Sequence, residues 1–226
     1  MELNNVTLLS IDCIQPEIAC RALKYSTRDI KFAEVMLFTS GDIICQGITM
    51  HKIEELSDLA AYSRFCLKEL VTYISTDFII TVQADGFIIN SHLWRDEFLE
   101  YDYIGAPWPA SAPWCTRSRV GNGGFSLRSR KFMELARQLE DDFRHEDVLL
   151  TNTRFDYFIS NGCRYAPVEV AMRFCLESKI PECEYDLNNC FGFHGKGDAF
   201  YHQGEGQQFK ERIALLDTVS CTKSGK

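Results

Sequence analysis

The sequence lacks the features of several common classes of protein. It has no uninterrupted apolar run near the roughly 18 to 20 residues of a membrane-spanning helix. Its first residues, Met-Glu-Leu-Asn-Asn, have neither the basic start nor the apolar core of a signal peptide. Lys and Arg number 24 against 32 Asp and Glu, which argues against a general nucleic-acid binder or a protein held on anionic membranes. We therefore expect a cytoplasmic protein with no membrane span.

Paired cysteine motifs are missing as well. The chain has ten cysteines, but no two of them form a CxxC pair. Cys20, Cys66 and Cys175 lie among apolar neighbours, where a reduced thiol behaves as a small core residue. The sequence therefore favours buried free thiols over a disulfide framework.

What is present is the composition of a globular core. With 226 residues, 46% of them hydrophobic, the chain can bury a core of its own. No internal repeat, low-complexity run or linker divides it. We predict a single domain over residues 1–226, with a frayed tail from about residue 218.

Strands and helices alternate over the first ninety residues. Apolar, β-branched runs predict strands at residues 6–12, 34–40 and 78–82, and the helical spacing of apolar side chains predicts helices at 16–30 and 51–74. This order predicts an α/β fold with a mainly parallel central sheet flanked by helices. In such sheets, ligands bind beyond the carboxyl ends of the strands.

The second half of the chain has a less regular pattern. Residues 101–130 are dense in Pro, Trp, Gly and Arg, which favours ordered loops. Amphipathic spacing predicts a helix over residues 130–143 and another over 145–162. From Pro181 onward the pattern predicts irregular structure.

Asp85 is the first candidate functional residue. It follows the apolar strand at residues 78–82, and a carboxylate at the end of a buried strand can hold a cation. Asp-Gly between apolar runs is also the strongest signature of a tight hairpin turn, which would make Asp85 structural. Both interpretations stay open, since a turn would itself present the acid.

Three further segments contain residue types that suit a ligand site. The glycines within residues 121–124 either let the backbone approach a ligand closely or adopt positive φ, or they simply form a turn. They match neither the phosphate-loop nor the dinucleotide fingerprint. Glu146 and Asp147 are either first-turn acids of a helix or catalytic carboxylates. His194, among glycines and aromatics, is either a ligand or a structural histidine.

Taken in order, these motifs resemble a family of small GT-A-type glycosyltransferases. The matching segments are YSRFCLKEL (62–70), QADGF (83–87), EFLEYDYIGAPWP (97–109), GNGGFSLRSR (121–130), EDV (146–148) and FGFHG (191–195). The match extends over roughly residues 6–196. The resemblance implies a GT-A-like, Rossmann-like domain over the whole chain.

The resemblance also implies an activity. A hexosyl or deoxyhexosyl group would pass from a nucleotide-diphosphate sugar to a glycan, glycoconjugate or other hydroxyl acceptor, as in polysaccharide biosynthesis. The more distant similarity to inverting enzymes of the fringe and β-galactosyltransferase groups implies inversion, with Asp147 as general base, or Glu146 if the register differs. Asp85 and His194 would bind Mn²⁺ or Mg²⁺ on the diphosphate. Gln83 stands where the first acid of a DxD motif would be, and it can hydrogen-bond but adds no charge.

Other motif residues would contact the donor. Those expected to line its pocket are Gln83, Asp85, Gly86, Gly123, Gly124 and Phe125. Arg64 and Lys68 face either the diphosphate or base, or solvent on the helix surface. Trp108 and Trp114 either stack on an acceptor sugar or pack in the core.

Two other functions fit the same residues. Gln83 is compatible with a catalytically silent nucleotide-sugar-binding protein or scaffold that keeps the GT-A fold. Asp85 and His194 could also serve a metal-dependent phosphohydrolase, although two-metal sites need more ligands than these.

Overall fold

A six-stranded sheet forms the centre of the computed structural model, which describes residues 1–140, 145–195 and 206–220. The strands are β1 (Glu2–Ile11), β2 (Lys31–Thr39), β3 (Thr49–Lys52), β4 (Phe78–Thr81), β5 (Tyr103–Ile104) and β6 (Ser126–Ser129). They lie in the order β3-β2-β1-β4-β6-β5. A second, two-stranded sheet consists of β7 (Cys175–Leu176) and β8 (Gly192–Phe193), which run parallel.

The central sheet is mainly parallel. The first four strands in its order pair in parallel, whereas β6 runs antiparallel to both β4 and β5. The last six residues of β1 are all buried, as expected of a central strand covered on both faces. The predicted α/β fold with a mainly parallel sheet is confirmed.

Helices flank this sheet. They are α1 (Pro16–Ser26), α2 (Leu59–Arg64), α3 (Arg130–Arg137), α4 (Glu146–Val148), α5 (Phe155–Ser160), α6 (Val168–Phe174) and α7 (Gly206–Ala214). The helical path of α2 continues through a π turn and a 3₁₀ turn as far as Tyr73, and that of α4 through a π turn as far as Thr153. None of the described helices has the length and apolarity needed to cross a bilayer.

Two apolar cores lie on opposite faces of the sheet. Neighbouring strand residues belong to different cores, because side chains alternate between the faces of a strand. Leu37 and Ile80 pack with α1, whereas Phe38 and Ile79 pack with α2 and its continuation. The sheet therefore holds the carboxyl ends of β1 and β4 side by side, where the functional site is expected.

Several boundaries differ from those that the sequence predicts. Residues 51–52 belong to β3, and the helix predicted from 51 begins only at Leu59, where Asp58 Oδ1 accepts a hydrogen bond from the Ala61 amide at 2.8 Å. The region predicted as loops, 101–130, also contains β5 and β6. The region predicted as irregular after Pro181 contains β8 and α7.

Two predicted boundaries reach beyond the described residues. The last helical turn ends at Thr218, where the tail was predicted to begin, and residues 221–226 lie outside the described residues, so the frayed tail stays a prediction. The helix predicted over 130–143 ends at Arg137, and its last positions, 141–143, also lie outside the described residues.

One cysteine prediction is wrong. Cys20 forms a disulfide with Cys45, with their Cα atoms 6.1 Å apart, and so links α1 to the segment before β3. The sheet topology brings these two distant cysteines together, which their spacing in the sequence does not reveal. Cys66 and Cys175 are free and buried, as predicted.

Candidate functional site

Two adjoining cavities open beyond the carboxyl ends of β1 and β4. The larger, of about 460 Å³, is lined by residues 11–15 at the end of β1, residues 56–59 at the start of α2, and residues 83–85 after β4. The smaller measures about 160 Å³. Leu59, Tyr62 and Gln83 line both cavities, so the two cavities are neighbours that meet at these residues.

The smaller cavity gathers residues from five of the six motifs. Apart from the shared residues, its lining consists of Asn122, Gly123, Gly124, His145, Glu146, Asp147, Glu177 and His194. Asn122 and His145 have φ of 70° and 58° and are the non-glycine residues of the described chain with positive φ. Backbone strain of this kind tends to collect at functional sites. The cavity is therefore the leading candidate for chemistry.

A tight turn presents Asp85. The Gln83 amide donates to the Gly86 carbonyl at 2.7 Å, and the Gly86 amide donates back at 3.1 Å. The Asp85 carbonyl accepts from the Gly195 amide at 2.8 Å, which fixes the turn against the last predicted motif. A Cβ on Gly86 would lie 2.7 Å from His194 Cδ2, so the close approach requires glycine. Asp85 therefore lies in a tight turn and also presents a partly exposed carboxylate.

His194 lies at the centre of a polar cluster. Its Nε2 is 3.1 Å from Gln83 Oε1 and 3.8 Å from Asp85 Oδ1, and its Nδ1 is 2.9 Å from Glu177 Oε1. Burial lowers the pKa of His194, but the hydrogen bond to Glu177 and the charges of Glu177, Asp85 and Asp147 outweigh burial and raise the pKa. The histidine therefore lies in an acidic environment that favours positive charge.

Glu177 is a site residue that was not predicted from the sequence. It follows the short apolar strand β7, which is the same signal that singled out Asp85 at the end of β4. Its second oxygen, Oε2, accepts a hydrogen bond from the Trp108 indole at 3.0 Å. Trp108 itself is buried and makes an edge-to-face contact with Trp114, with ring centroids 5.9 Å apart.

The glycine run packs tightly around Asn122. The Asn122 side-chain oxygen accepts from the Gly124 and Phe125 amides at 2.7 and 3.1 Å. A Cβ on Gly123 would collide with the Glu146 carboxylate, and one on Gly124 would collide with the His194 ring. These glycines therefore allow the loop to reach the charged groups.

The adjacent acids of α4 differ in their surroundings. Glu146 is buried in an ion pair with Arg128, with the two charged groups 2.6 Å apart and side chains 5% and 3% exposed. Asp147 is half-buried and lines the smaller cavity, and its Oδ1 accepts from the Val148 amide at 2.8 Å. Burial, and then the neighbouring Glu146 charge, raise the pKa of Asp147 to about 7. Of the two acids, only Asp147 has the environment of a proton acceptor near neutral pH.

Four predicted donor contacts, Arg64, Lys68, Gly86 and Phe125, lie outside the lining of both cavities. The Lys68 ammonium donates to the carbonyls of Arg137, at 2.7 Å, and Leu139, so it points toward the end of α3. Arg64 is exposed at the end of α2. The Phe125 ring is fully buried against Phe174, with centroids 5.1 Å apart, and supports the site from the core.

Three atoms converge where a cation could bind, namely His194 Nε2, an Asp85 carboxylate oxygen and Gln83 Oε1. Imidazole nitrogen with carboxylate oxygen suits Mn²⁺, and spacings of 3.1 and 3.8 Å between these atoms allow them to share one ion. Within the described ranges, no three His, Cys, Asp or Glu side chains form a metal site by themselves. An ion here would need additional oxygen ligands, such as those of a diphosphate.

The fold and the sequence can be compared with known proteins. A family model described as a protein of unknown function, DUF5672, matches residues 47–194, which include Asp85, Asp147 and His194. No curated protein matches the sequence. The galactosyltransferase LgtC, in a crystal structure with donor and acceptor sugar analogues, aligns with a TM-score of 0.50 and 15% identity over 97% of this chain and 98% of its own. An active-site mutant of LgtC aligns with a TM-score of 0.49 and 14% identity over 100% and 98% of the two chains.

The chain therefore shares its fold with GT-A glycosyltransferases. The more distant similarity to fringe and β-galactosyltransferase enzymes stays a prediction.

Proposed function

We propose that this chain, which belongs to the DUF5672 family of proteins of unknown function, is a glycosyltransferase that uses a nucleotide-diphosphate sugar. The observation that carries the proposal is the convergence of Asp85, His194 and Asp147 on two adjoining cavities at the strand ends of a GT-A fold. The acceptor is a hydroxyl group, such as that of a glycan, and the transferred group is a hexosyl or deoxyhexosyl unit.

The larger cavity suits the nucleotide. Its volume of about 460 Å³ falls within the range of small-molecule sites, and its walls carry apolar groups beside a few polar ones. Ile14 and Leu59 are aliphatic side chains on its rim that are 86% and 48% exposed. They offer a surface for a planar base, and Gln83 at the junction leads toward the smaller cavity, where the sugar and the acceptor would meet.

The charges of the site support a cation. Among described residues, neither cavity has a Lys or Arg in its lining, while Asp12, Asp58 and Asp85 line the larger one. A diphosphate would be repelled here without added positive charge. Asp85 and His194 would hold Mn²⁺ or Mg²⁺, which when bound stabilises the charge that grows on the leaving diphosphate.

Asp147 would act as the general base. As the acceptor oxygen bonds to the anomeric carbon, the bond from that carbon to the diphosphate oxygen breaks, and the acceptor proton passes to the Asp147 carboxylate. A single displacement of this kind inverts the anomeric configuration. A base with a pKa near the working pH is the most effective, and the pKa of about 7 meets this condition.

A two-step experiment tests the proposal. A thermal-shift screen of UDP-, GDP- and dTDP-sugars, with and without Mn²⁺, should identify a donor that raises the melting temperature. With that donor, Asp147→Asn should keep donor binding and lower the transfer rate by roughly 10²- to 10⁴-fold. Asp42→Asn, an exposed acid outside the site, is the matched control and should leave transfer unchanged.

The other outcomes discriminate the alternatives. Failure of every donor to bind would overturn the proposal, and binding without transfer would favour a silent nucleotide-sugar-binding protein. Release of free sugar without glycosylated acceptor would indicate hydrolysis.

A further inference from the structure

Glu177 connects two of the motifs, although it belongs to neither. One carboxylate oxygen lies 2.9 Å from His194 Nδ1, and the other accepts from Trp108 Nε1 at 3.0 Å. The Glu177 side chain is only 18% exposed. Both carboxylate oxygens therefore have fixed partners in a largely enclosed position.

The small second sheet sets the position of this carboxylate. Leu176 of β7 pairs in parallel register with Phe193 of β8, so Glu177 and His194 are the next residues of the two paired strands. The His194 amide donates to the Leu176 carbonyl at 3.1 Å, which continues the pairing by one residue. The contact between the two side chains thus follows directly from the register.

The hydrogen bond to Glu177 determines which nitrogen of neutral His194 carries the proton. A carboxylate can only accept, so Nδ1 must carry the proton that it donates to Glu177. In the neutral ring Nε2 then keeps its lone pair and is the nitrogen that a cation can bind. In the doubly protonated ring Nε2 donates instead to Gln83 Oε1 at 3.1 Å, with Asp85 Oδ1 3.8 Å away. The Asn122 amide nitrogen also lies 2.9 Å from Nδ1, but the charge-assisted bond to the carboxylate is the stronger of the two.

Trp108 fixes Glu177 from the other side. Its ring packs where a Cβ on Gly121 would otherwise be, and its backbone exchanges hydrogen bonds with Arg119. Trp108 as a whole is 5% exposed, so its ring is part of the core rather than an open stacking surface. Its indole N–H is directed at Glu177 and limits the rotation of the carboxylate.

We propose that Glu177 is a positioning residue that fixes the orientation and tautomer of His194 so that Nε2 can bind a cation, and that Trp108 holds Glu177 in place. This inference rests on the metal site of the proposed function. Partners that orient a metal-binding histidine in this way typically contribute 10- to 100-fold to metal affinity, by order of magnitude.

The first test measures Mn²⁺ binding by electron paramagnetic resonance on the full chain. Glu177→Gln should weaken Mn²⁺ binding by roughly 10- to 100-fold. Trp108→Phe should weaken it less, because the bond from Glu177 to His194 remains. Glu169→Gln, which removes one exposed carboxylate at the start of α6, is the matched control for charge and should have no effect. Thermal melting of each variant checks that it is folded.

A double-mutant cycle with His194→Ala separates positioning from direct ligation. If Glu177 acts through His194, adding Glu177→Gln to His194→Ala should change Mn²⁺ affinity by less than about twofold. A full additional loss would mean that Glu177 contacts the ion or acts by charge alone. That result, or an unchanged affinity in Glu177→Gln, would overturn the inference.

A second readout is independent of the metal and of the proposed activity. Nitrogen-15 spectra of labelled histidine in the metal-free protein should show neutral His194 protonated at Nδ1, and Glu177→Gln should mix the two tautomers. A wild-type protein protonated at Nε2 would refute the inference even if transfer occurs. A fixed Nδ1–H in a protein that binds no donor would instead refute the proposed function alone.

Discussion

Glu146 and Asp147 follow one another in α4, yet they belong to two groups of side chains, a closed side and an open side, in which charges have different surroundings. The closed side consists of Thr81, Ser126, Arg128 and Glu146, which are all buried. Here Arg128 pairs with Glu146 at 2.6 Å, and the Thr81 and Ser126 hydroxyls hydrogen-bond at 2.9 Å. Each charge on this side is neutralised by a buried partner.

The open side consists of Asp85, Asp147, Glu177 and His194, which are partly exposed and line the cavities. Three carboxylates stand there against one histidine, so negative charge is in excess whatever the protonation of His194. Like charges held together cost free energy unless a ligand compensates them. The comparison indicates that the closed side stabilises the fold, whereas the open side is arranged to receive positive charge and protons.

The largest expected effect is the loss of stability when the buried ion pair of the closed side is broken. Arg128→Met leaves Glu146 as an unpaired buried charge, and loss of one partner of a buried pair typically destabilises a protein by about 3–5 kcal/mol. Urea denaturation followed by circular dichroism measures the change in the free energy of unfolding.

The control for this variant is an exposed pair. Arg164 lies 3.7 Å from Glu100, with both side chains 60% exposed, and Arg164→Met should change stability by less than about 1 kcal/mol. Equal effects of the two substitutions would show that the buried pair does not hold the closed side together.

A smaller effect, on the open side, is a dependence of transfer on pH. As the proposed general base, Asp147 would have to be deprotonated to take the acceptor proton, and its pKa is raised to about 7 by burial and then by Glu146. Below that pH, kcat/KM should fall by about tenfold per pH unit. The raised pKa of His194 should also lower kcat/KM at acidic pH, because only neutral His194 can bind a cation.

Glu146→Gln gives a sharper test, because it removes a charge from the closed side and should change the pKa of Asp147 on the open side. Without the Glu146 charge, ionisation of Asp147 is easier, so the rising limb of the plot of kcat/KM against pH should move to lower pH. Near-ultraviolet circular dichroism checks that the variant is folded. A limb that stays in place or moves to higher pH would exclude Asp147 as the titrating base.

The sequence predicts the parallel part of the fold well because its signals are local. The apolar runs of β1, β2 and β4 and the spacing in α1 each depend on neighbouring residues. Asp85 could likewise be selected from the strand that precedes it. Features that depend on pairing between distant segments were not predicted, such as the disulfide between Cys20 and Cys45.

The surroundings of individual side chains could not be predicted from the sequence either. Glu146 and Asp147 have the same local signal, and only the position of Arg128 in β6 separates a structural acid from a candidate base. Glu177 acquires its contact with His194 through the pairing of β7 with β8. Lys68 was assigned to the donor by its charge, but its length allows it to reach the end of α3 instead.

The smallest expected effect is tighter Mn²⁺ binding in Gln83→Glu, a substitution next to the open side. The two side chains have the same length, and Gln83 Nε2 now donates to the Tyr62 hydroxyl at 3.1 Å. Because a hydroxyl can also donate, Tyr62 can keep the bond by donating to the new carboxylate. The added charge next to His194 Nε2 should tighten Mn²⁺ binding by roughly three- to tenfold at pH 8, measured by electron paramagnetic resonance. The same charge repels the diphosphate, so donor binding without Mn²⁺ should weaken. Gln46→Glu, which makes the same change of charge at an exposed position, should change neither Mn²⁺ binding nor donor binding. Unchanged Mn²⁺ affinity in Gln83→Glu would show that position 83 does not face the ion.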